Sequence, residues 1–590
     1  MQFLFFFITW FLSTNHTNMK NFQLLLLLFL FQSAFAQTQT VWITNVTIAD
    51  TKTGKLLPSM TVMLNGERIQ KVVKYNKKTT TPDSVKVIDG TGKYLMPGMV
   101  DGHIHFFQSG GLYTRPDGLN LGRIYSYEKD QQWIKNNMND LMRRYLACGI
   151  TTVIDVGGPM SNFDVRKQNN QNFLSPNAYV TGPLISTYQP GNLDKKDPPI
   201  IKVKDEQEAR ELVSKQLPFK PDFIKIWYIV EPGKPASSTL HIVKAAIDES
   251  HKNGLKVCVH ATEYETAKLA IENGADILVH SVEDQPLDAP MLQLMKQKNV
   301  TYIPTAIVAS KYTEVFTQQH RLTAHDFAYA NPFMLGTLFD LQHIPVKDAG
   351  LNYKEYRKAV KLPSKADSII LMNLKPVVDA GITVVTGTDA GNIGTMHASS
   401  YYAELLAMKQ GGLSNAQILK ACTYNAAIGF GKQAEIGSIE PGLYANLLLL
   451  NKNPFDSLNY VHDFDFVINR GKWIKKDTIL KSTPEMLAQE QLNAYNARDI
   501  DAFLAPYSDS VEIYGYPGKL LGKGKEQMRK EYEGMFKQVK NLHCELLHRS
   551  VYGNIVIDHE SVSGFGPKPV KAMAIYTIKD GKIVKVEFVE

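Results

Sequence analysis

Alternating hydrophobic and polar positions run from residue 38 to about residue 93 and predict an all-β segment. Residues 41–48 alternate in this way and are rich in β-branched side chains, which favour strands. Residues 60–64 lead into Asn65-Gly66, a pair typical of hairpin turns, and residues 69–73 follow as the next strand. The segment is too short to be a stable domain by itself.

From Met96 onward, short hydrophobic runs alternate with helical stretches. Residues 240–253 and 263–273 exemplify the predicted helices, and Gly254 and Gly274 suit the position just beyond a helix end. The first predicted strand ends near His105, and the others lie at residues 150–155, 178–182, 223–227, 256–260, 276–280, 301–304 and 383–389. Eight β/α repeats predict an α/β fold, a (β/α)8 TIM-like barrel over residues 96–432. The long connection at residues 306–379 predicts a helical lid.

The strand pattern returns at residues 433–481, with a hairpin around Asn469-Arg470-Gly471. This piece is also too small to fold alone. We expect it to complete the sheet begun by residues 37–95, which gives a discontinuous β-sandwich beside the barrel. Residues 482–590 predict a separate α+β domain, whose first helix starts at Ser482-Thr483-Pro484-Glu485 with capping-box spacing and an early proline.

Length and composition limit the classes of protein. A chain of 590 residues is too long for one core, so two to four domains are expected. The formal charge of +7 is small for this length and no block of Lys and Arg dominates, so nucleic acid is not an expected partner. The four cysteines are scattered through hydrophobic patterns, which favours buried free thiols over disulfides.

The N-terminal 36 residues resemble a signal peptide. Lys20 begins a short basic region, residues 24–31 are a hydrophobic run, and Ala34-Phe35-Ala36 fits a cleavage site. We place the true start at Met19 and cleavage after Ala36, which predicts a periplasmic or secreted protein. The alternative is a retained membrane anchor, but the run is too short to span a bilayer comfortably, so no stable membrane insertion is expected.

Isolated polar residues at the ends of otherwise hydrophobic strands are the main chemical signal. The first predicted strand ends in His103-Ile104-His105, and because strand side chains alternate, both imidazoles point the same way. By themselves they could be two histidines that happen to share a strand. Buried polar groups are costly without partners, and barrel strand ends converge on one face. Four later strands end in similar fashion, with Lys225, His260, His280 and Asp389. Together these residues predict a metal cluster.

These motifs resemble the amidohydrolase superfamily. Residues 97–105, Pro-Gly-Met-Val-Asp-Gly-His-Ile-His, are similar to its opening signature, and Thr388-Asp389-Ala390 is similar to its eighth-strand aspartate. Residues 419–427 resemble its closing helix, and residues 437–442 resemble its return to the sandwich. Asn446 departs from the usual aspartate, at a position in the sandwich. The likeness covers residues 40–476 and lies closest to the imidazolonepropionase and prolidase-like dipeptidase branch.

That resemblance implies a site with two divalent metal ions, and zinc is the expected metal because Zn²⁺ prefers imidazole and carboxylate ligands. It implies that His103, His105 and Asp389 hold the first metal, that His260 and His280 hold the second, and that a carboxylated Lys225 and a hydroxide bridge them. Asp389 is then the general base and acid. The alternative for Lys225 is a side chain that extends past the barrel rim and leaves a mononuclear site.

Two further residues are candidate substrate contacts. Tyr228 lies just past Lys225 and His397 lies in the eighth loop, and the alternatives are a packing aromatic and a surface histidine. Gly157-Gly158 after the second strand permits close approach of the backbone. The family often has a glycine-glycine-histidine motif after the third strand, where this chain has Ser186-Thr187-Tyr188-Gln189-Pro190, and this puts the usual substrate in doubt.

The C-terminal domain resembles the SnoaL-like, ketosteroid-isomerase-like cone fold over about residues 484–590. Residues 495–511 and 522–526 carry this likeness. Isomerases of this fold place a carboxylate base in the cone, and residues 512–516 have no clear equivalent. We therefore favour a binding or dimerising role, which includes a homo-oligomer formed through this domain, over catalysis.

The sequence thus predicts an exported metal-dependent amidohydrolase that cleaves a C–N bond of a small molecule, with a dipeptide-like or N-acyl compound as the favoured substrate. A hydrolase of cyclic amides, esters or lactones at the same site is the first alternative. A noncatalytic protein that binds a small ligand is the second, and the intact set of candidate metal ligands argues against it.

Overall fold

The computed structural model describes residues 40–589. The predicted signal segment, residues 1–36, lies outside this range. Within it, no helix is both long enough and apolar enough to cross a membrane. All four cysteines are buried and free, as the sequence predicted.

The N-terminal segment forms the first part of a mixed sheet. Strand β1 pairs antiparallel with β2 and parallel with β4 and β5, so hydrophobic residues of alternate positions pack on one face. The strands are β1 (Thr40–Asp50), β2 (Lys55–Asn65), β3 (Arg68–Lys74), β4 (Lys86–Asp89) and β5 (Tyr94–Pro97).

The barrel follows, with parallel strands at eight positions, which confirms the predicted fold class. At the third position the strand is broken, because β8 pairs with the second strand and β9 with the fourth. The Gln216 amide bonds to the backbone at the break, accepting from Gly182 N at 3.0 Å and donating to Pro183 O at 3.1 Å. Strand one meets strand eight through Gly102 N and Thr386 O at 2.8 Å. The strands are β6 (Met99–Ile104), β7 (Ile150–Asp155), β8 (Asn177–Val180), β9 (Leu184–Ser186), β10 (Ile200–Lys202), β11 (Ile224–Trp227), β12 (Val257–His260), β13 (Ile277–Val279), β14 (Thr301–Ile303) and β15 (Thr383–Val384).

Helices cover the outside of the barrel. The two helices predicted before Gly254 and Gly274 are present, and both glycines have positive φ, 71° and 105°, which suits a helix end. The helices between the barrel strands are α1 (Tyr127–Ala147), α2 (Asn162–Gln171), α3 (Glu206–Gln216), α4 (Leu240–Lys252), α5 (Tyr264–Glu272) and α6 (Ala289–Gln297).

The long connection before β15 is helical, as predicted. It begins directly above the barrel, and Val308, Ala309 and Tyr312 of its first helix line the central cavity. Its helices are α7 (Val308–Phe316), α8 (Ala324–Tyr329), α9 (Pro332–Thr337), α10 (Val346–Ala349), α11 (Tyr353–Ala359) and α12 (Lys365–Asp379). We call residues 306–379 the insertion. After β15 come α13 (Ser400–Gln410), α14 (Asn415–Ala421) and α15 (Tyr424–Gly429).

The chain then returns to the first sheet. Strand β16 pairs antiparallel with β5, so residues far apart in sequence share one eight-stranded sheet. Asn446, the departure from the family pattern, accepts a hydrogen bond from Arg470 N at 2.7 Å within this sheet. The returning strands are β16 (Leu447–Leu450), β17 (Phe464–Asn469) and β18 (Lys472–Lys475).

The C-terminal domain is a six-stranded sheet with three helices. The capping-box prediction is corrected here: Thr483, and not Ser482, caps the first helix by accepting from Met486 N, and Ser482 donates to Glu490 instead. The sheet order is β20-β19-β24-β23-β22-β21. The elements are α16 (Pro484–Ala497), α17 (Ile500–Leu504), β19 (Tyr507–Gly515), β20 (Lys519–Lys523), α18 (Lys525–Gln538), β21 (His543–Tyr552), β22 (Ile555–Ser563), β23 (Val570–Lys579) and β24 (Lys582–Val589).

The C-terminal domain packs on the insertion. Asn493 of α16 donates to Pro332 O at 2.7 Å. Gly336 of α9 lies so close to α16 that a Cβ there would be 2.6 Å from the Gln489 side chain. His343 and His543 share a hydrogen bond of 2.9 Å across the same contact. The insertion therefore lies between the barrel cavity and the C-terminal domain.

Candidate metal centre and active site

The barrel brings all six predicted ligand residues to the carboxyl ends of its strands. His103 lies in β6, and Lys225 lies in β11. The remaining four are at the end of a strand or beyond it, as parallel strands of a barrel allow. They are His105, His260, His280 and Asp389.

Three of these residues point their ligand atoms at one another. Asp389 Oδ1 is 3.2 Å from His103 Nε2 and 3.2 Å from His105 Nε2, and the two nitrogens are 3.3 Å apart. Metal–ligand bonds of about 2.0–2.1 Å in a tetrahedron place neighbouring ligand atoms about 3.3–3.4 Å apart. The spacing of this triad therefore matches one face of a zinc-type site.

The other three predicted ligands border the triad. The His280 ring centre is 5.0 Å from that of His103 and 4.5 Å from that of His260. His280 Nδ1 is 4.0 Å from Asp389 Oδ2, the carboxylate oxygen that faces away from the triad. Lys225 is 1% exposed and lines the same cavity as His260 and His280. The six residues form one cluster.

Burial sets the charge of the cluster. Desolvation holds the pKa of the imidazoles of His103, His260 and His280 well below the usual range, with the neighbouring Lys225 and histidines adding to the effect. Burial also lowers the pKa of Lys225 to about 8. Neutral imidazoles are the form that binds metals, and a neutral lysine amine is available for chemistry that an ammonium cannot perform.

Outer hydrogen bonds fix which imidazole nitrogen faces the cluster. His105 Nδ1 is 2.7 Å from Gly157 O, and Asp155 in turn accepts from Gly157 N at 2.8 Å. His280 Nδ1 is 2.7 Å from the Thr305 hydroxyl. In both rings the bond engages Nδ1 and leaves Nε2 for the cluster, which is the usual way proteins orient metal-binding histidines. Gly157 thus makes the close backbone approach that the sequence suggested.

The buried atoms of the cluster lack ordinary partners. Among residues 40–589, no hydrogen bond reaches Lys225 Nζ, Asp389 Oδ1 or His103 Nδ1. Unpaired polar groups at this depth are costly, and His280 and Asp389 also have positive φ, 72° and 60°, a strained conformation that clusters at functional sites. The donor set of imidazoles and carboxylate fits divalent metal ions, and the triad is the one group with metal-ligand spacing in the described chain.

A cavity of about 270 Å³ opens above the cluster. Its wall is largely apolar, with Leu184, Ile200 and Trp227 among the lining residues. One cation other than Lys225 faces it: Arg115, whose guanidinium donates to both oxygens of Asp117 at 2.8 and 2.6 Å and to Asn392 at 2.7 Å. Such a cavity suits a small molecule with an apolar body.

The comparison with known proteins decides the family. The sequence model of the amidohydrolase family matches residues 94–476, more than half of the chain. The chain belongs to the amidohydrolase family. This amidohydrolase is a hydrolase of carbon–nitrogen bonds, as the sequence predicted. The SnoaL-like domain model matches residues 488–586, which confirms the second resemblance.

Individual relatives are distant. An imidazolonepropionase from Shouchella clausii is 23% identical over 423 residues, which cover 67% of this chain and 80% of the relative. An ochratoxinase from Aspergillus niger is 24% identical over 217 residues, covering 37% of this chain and 36% of that protein. Among solved structures, a Xaa-Pro dipeptidase with bound methionine matches with a TM-score of 0.56 and 20% identity over 74% of this chain and all of that one.

The two predicted substrate contacts of this amidohydrolase do not line the cavity. The Tyr228 hydroxyl donates to Ala236 O at 2.5 Å, and its ring packs in the core between the barrel and helix α4. His397 is 2% exposed and is held at both nitrogens, 2.8 Å from Gln108 O and 2.9 Å from the Tyr145 hydroxyl. Both side chains therefore have structural surroundings, and we correct the expectation that they contact substrate.

The sequence did not reveal several polar residues of the cavity wall, among them three that contact one another. Arg115, Tyr312 and Asn392 line the cavity, and the Tyr312 hydroxyl donates to the same Asn392 oxygen as Arg115, at 2.8 Å. The sequence feature that could have indicated Arg115 is Asp117, an acidic residue two positions further along. Both lie in the loop that follows the His103-Ile104-His105 strand. Asn392 and Tyr312 come from different connections, and their proximity needs the fold.

Proposed function

We propose that this amidohydrolase is exported and cleaves the amide bond of a small dipeptide-like or N-acyl substrate that carries a carboxylate, using two zinc ions. The observation that carries the proposal is the meeting of His103, His105 and Asp389 at ligand spacing beside an unpaired, buried Lys225. Cyclic amides, esters and lactones remain the alternative substrates.

We assign protein ligands to each metal ion. His103, His105 and Asp389 would hold the first ion, and His260 and His280 the second, with Lys225 as a carbamate between them. Two such ions lower the pKa of water and polarise the scissile carbonyl. A carbamate forms when the neutral Lys225 amine attacks CO₂ and loses a proton, and this replaces a positive charge beside the metals with a negative ligand.

Asp389 is the proton carrier in this account. Its Oδ1 faces the two histidines of the triad, whereas Oδ2 points elsewhere, 4.0 Å from His280 Nδ1. We assign Oδ2 as the atom that accepts a proton from the attacking water. The same atom then delivers that proton to the leaving nitrogen, as a general base and acid. Without this transfer an amine is a poor leaving group.

Arg115 supports a carboxylate on the substrate. Three of its five N–H groups are engaged by Asp117 and Asn392. The remaining two, one on each terminal nitrogen, have no partner among residues 40–589, which leaves them for hydrogen bonds to a carboxylate. Leu184, Ile200 and Trp227 form an apolar part of the wall, which suits a hydrophobic side chain or acyl group. A carboxylate at Arg115 would orient the amide toward the cluster.

Steady-state kinetics on the metal-loaded protein tests this. The substrates are a dipeptide, an N-acyl amino acid, its C-terminal amide and a lactone. We expect kcat/KM for the N-acyl amino acid to exceed that for its amide at least tenfold. Arg115→Lys keeps the charge but loses the planar fork, so it should erase most of that preference through KM, a loss of about 1.5–3 kcal/mol. Arg123→Gln, an exposed arginine of the same loop, is the control.

Three outcomes would contradict parts of this proposal. A wild-type enzyme that hydrolyses the lactone and none of the amides would favour the alternative chemistry. An Arg115→Lys variant with an unchanged preference for the acid would remove Arg115 from substrate recognition. Binding of all four compounds with no turnover by the metal-loaded protein would place the substrate outside these classes.

Export is a separate proposal, supported by Lys20, the hydrophobic run at residues 24–31 and Ala34-Phe35-Ala36. Mass spectrometry of protein from its native host should find an N-terminus at or near Gln37, in the periplasm or the medium. A mature chain that retains residues 24–31 would contradict it.

A further inference from the structure

The C-terminal domain contains a cavity of its own, separate from the barrel site. Its volume is about 370 Å³, within the range of about 300–1,000 Å³ typical of small-molecule sites. The wall is mostly aromatic, formed by Tyr495, Phe503, Tyr507, Tyr532, Tyr576 and Phe588. Phe565 and Val570 also line it, and they are 54% and 50% exposed, so they mark its mouth.

Strand β22 places two carboxylates on the inner side of the domain. Asp558 and Glu560 are two residues apart, so they face the same way, and they are 0% and 8% exposed. Asp558 is paired with Arg549, which donates to both its oxygens at 2.7 and 2.6 Å. Arg549 is therefore already paired with Asp558, and Glu560 has no ion pair among residues 40–589. Glu560 is the one of the two that lines the cavity.

A chain of hydrogen bonds ends at Glu560. The Tyr507 hydroxyl donates to Gln491 Oε1 at 3.3 Å, Gln491 Nε2 donates to the Tyr576 hydroxyl at 2.9 Å, and that hydroxyl donates to Glu560 Oε1 at 3.3 Å. The donors are all oriented toward the carboxylate. This arrangement holds the Glu560 side chain in place at the cavity wall and supplies an anionic acceptor there.

The composition of the wall indicates the charge of the ligand. Its ionisable residues include two carboxylates, Glu560 within and Glu531 at the exposed rim, and in the described chain no Lys, Arg or His lines it. Burial raises the pKa of Glu560 to about 7, because an unpaired carboxylate is costly in an apolar surrounding. A cation would relieve that cost, and aromatic rings also attract cations.

We propose that this cavity is a second ligand site, which binds a small organic amine with its ammonium on Glu560 and its apolar body against the aromatic wall. The proposal does not depend on the reaction of the barrel. If Glu560 had only a structural role, a neutral glutamine of the same shape could replace it. Ammonium binding requires the negative charge, so Glu560→Gln distinguishes the two roles.

Isothermal titration calorimetry on the full chain is the experiment, with benzylamine as the probe. Benzyl alcohol and phenylacetate are probes of the same ring with no charge and with the opposite charge. We expect benzylamine to bind once per chain and the other two at least tenfold more weakly. Glu560→Gln should weaken benzylamine binding at least tenfold, whereas Glu526→Gln, at an exposed glutamate of the same domain, should leave it unchanged.

Two further variants test whether benzylamine binds in this cavity. Ala572→Leu adds bulk to the cavity wall without changing charge and should also abolish binding, so the proposal stays testable if Glu560→Gln fails to fold. Asp389→Asn should leave benzylamine binding intact, because the barrel site is not involved. The proposal is overturned if benzylamine does not bind, if benzyl alcohol or phenylacetate matches it, if a folded Glu560→Gln protein binds it normally, or if binding is lost in Asp389→Asn.

Discussion

At the scale of single residues, the chemistry depends on where Asp389 places its two oxygens. Asp389→Asn preserves the shape of the side chain and one oxygen toward His103 and His105, but an amide cannot carry the proton. We expect metal content and thermal stability close to wild type, and a kcat lower by about 10²–10⁴-fold, the usual effect of losing a general base or acid. A metal-loaded variant with near-normal kcat would remove Asp389 from this role.

Gly157 illustrates how a residue without a side chain supports the site. Its φ is 131°, and a Cβ there would lie 2.5 Å from Leu184 Cδ1, while its carbonyl orients His105. Gly157→Ala should lower the free energy of unfolding by about 1–3 kcal/mol and weaken metal binding by about 10–100-fold.

A matched variant separates strain from misplacement of the ligand. Gly254 also has positive φ, 71°, and a Cβ there would meet nothing within 4 Å. Gly254→Ala should therefore cost about 1 kcal/mol in denaturant unfolding and leave the metal dissociation constant unchanged. Equal losses of metal affinity in the two variants would contradict the role assigned to the Gly157 carbonyl.

The six residues of the cluster could be located from the sequence, whereas the other cavity residues could not. Lys225, His260 and Asp389 were recognisable because each is a lone polar group in a hydrophobic run. Tyr228 was predicted to contact substrate, although strand alternation argues against that prediction. Lys225 and Trp227 line the cavity, so Tyr228, the residue after Trp227, faces the opposite side. Arg115 lies in a loop, where no periodicity reveals its direction.

At the scale of elements, Glu404 of α13 ties the insertion to the barrel. It is fully buried, and its two oxygens accept from Ala306 N at 2.9 Å and Ile307 N at 3.2 Å, just ahead of α7. In Glu404→Gln one of these oxygens becomes an NH₂ group that faces a backbone N–H. We expect a loss of about 1–3 kcal/mol in the free energy of unfolding.

The same variant should raise KM, because α7 supplies part of the cavity wall. Glu355→Gln is the control, since Glu355 is an exposed glutamate of the insertion whose side chain is 63% exposed. Denaturant unfolding and steady-state kinetics on both proteins are the measurements. If Glu404→Gln behaves like Glu355→Gln in both, Glu404 does not position the insertion.

The elements themselves were largely predictable. Hydrophobic periodicity located the barrel strands, the helices and the helical insertion, because each follows from local pattern. The break in the third barrel strand was not predictable, since it depends on the Gln216 side chain reaching the backbone of Gly182 and Pro183 from α3. Contacts of that kind join segments whose local patterns are independent.

At the scale of the whole molecule, the C-terminal domain contacts the insertion through a pair of neutral histidines. Burial lowers the pKa of His543 to about 3, with His343 and Arg498 adding to the effect, and burial also lowers the pKa of His343, against the opposing influence of Glu545. The unfolded chain therefore binds more protons than the folded one in acid. Stability from this pair is present above about pH 6.5 and is lost as pH falls below it.

We expect acidification from pH 7 to pH 5 to cost about 1–2 kcal/mol through this contact. After correction for the intrinsic pH dependence of amide exchange, protection factors at α9 and α16 should fall over that range. His543→Gln should reduce this pH dependence, whereas His548→Gln, an exposed histidine of the same strand, should not. Protection factors at α9 and α16 that do not change with pH in the wild type would contradict the assignment.

This contact between domains is a second part of the architecture that the sequence could not predict. Motifs identified the barrel, the returning strands and the SnoaL-like domain separately. Nothing in the local pattern of Gly336 or Asn493 shows that α9 lies against α16, because that contact depends on shapes made by residues far apart in the chain. The result is that one packed insertion lies between the barrel cavity and the C-terminal domain.

The central claim is the binuclear centre, and metal counting by mass spectrometry alongside activity tests it most directly. The account predicts two divalent ions per chain in active wild type, about one in Lys225→Ala with most activity lost, and two in Lys244→Ala, an exposed lysine of α4. A wild type that holds one ion, with activity unaffected by Lys225→Ala, would contradict the bridge. Full activity in a protein stripped of metal by a chelator would contradict the account as a whole.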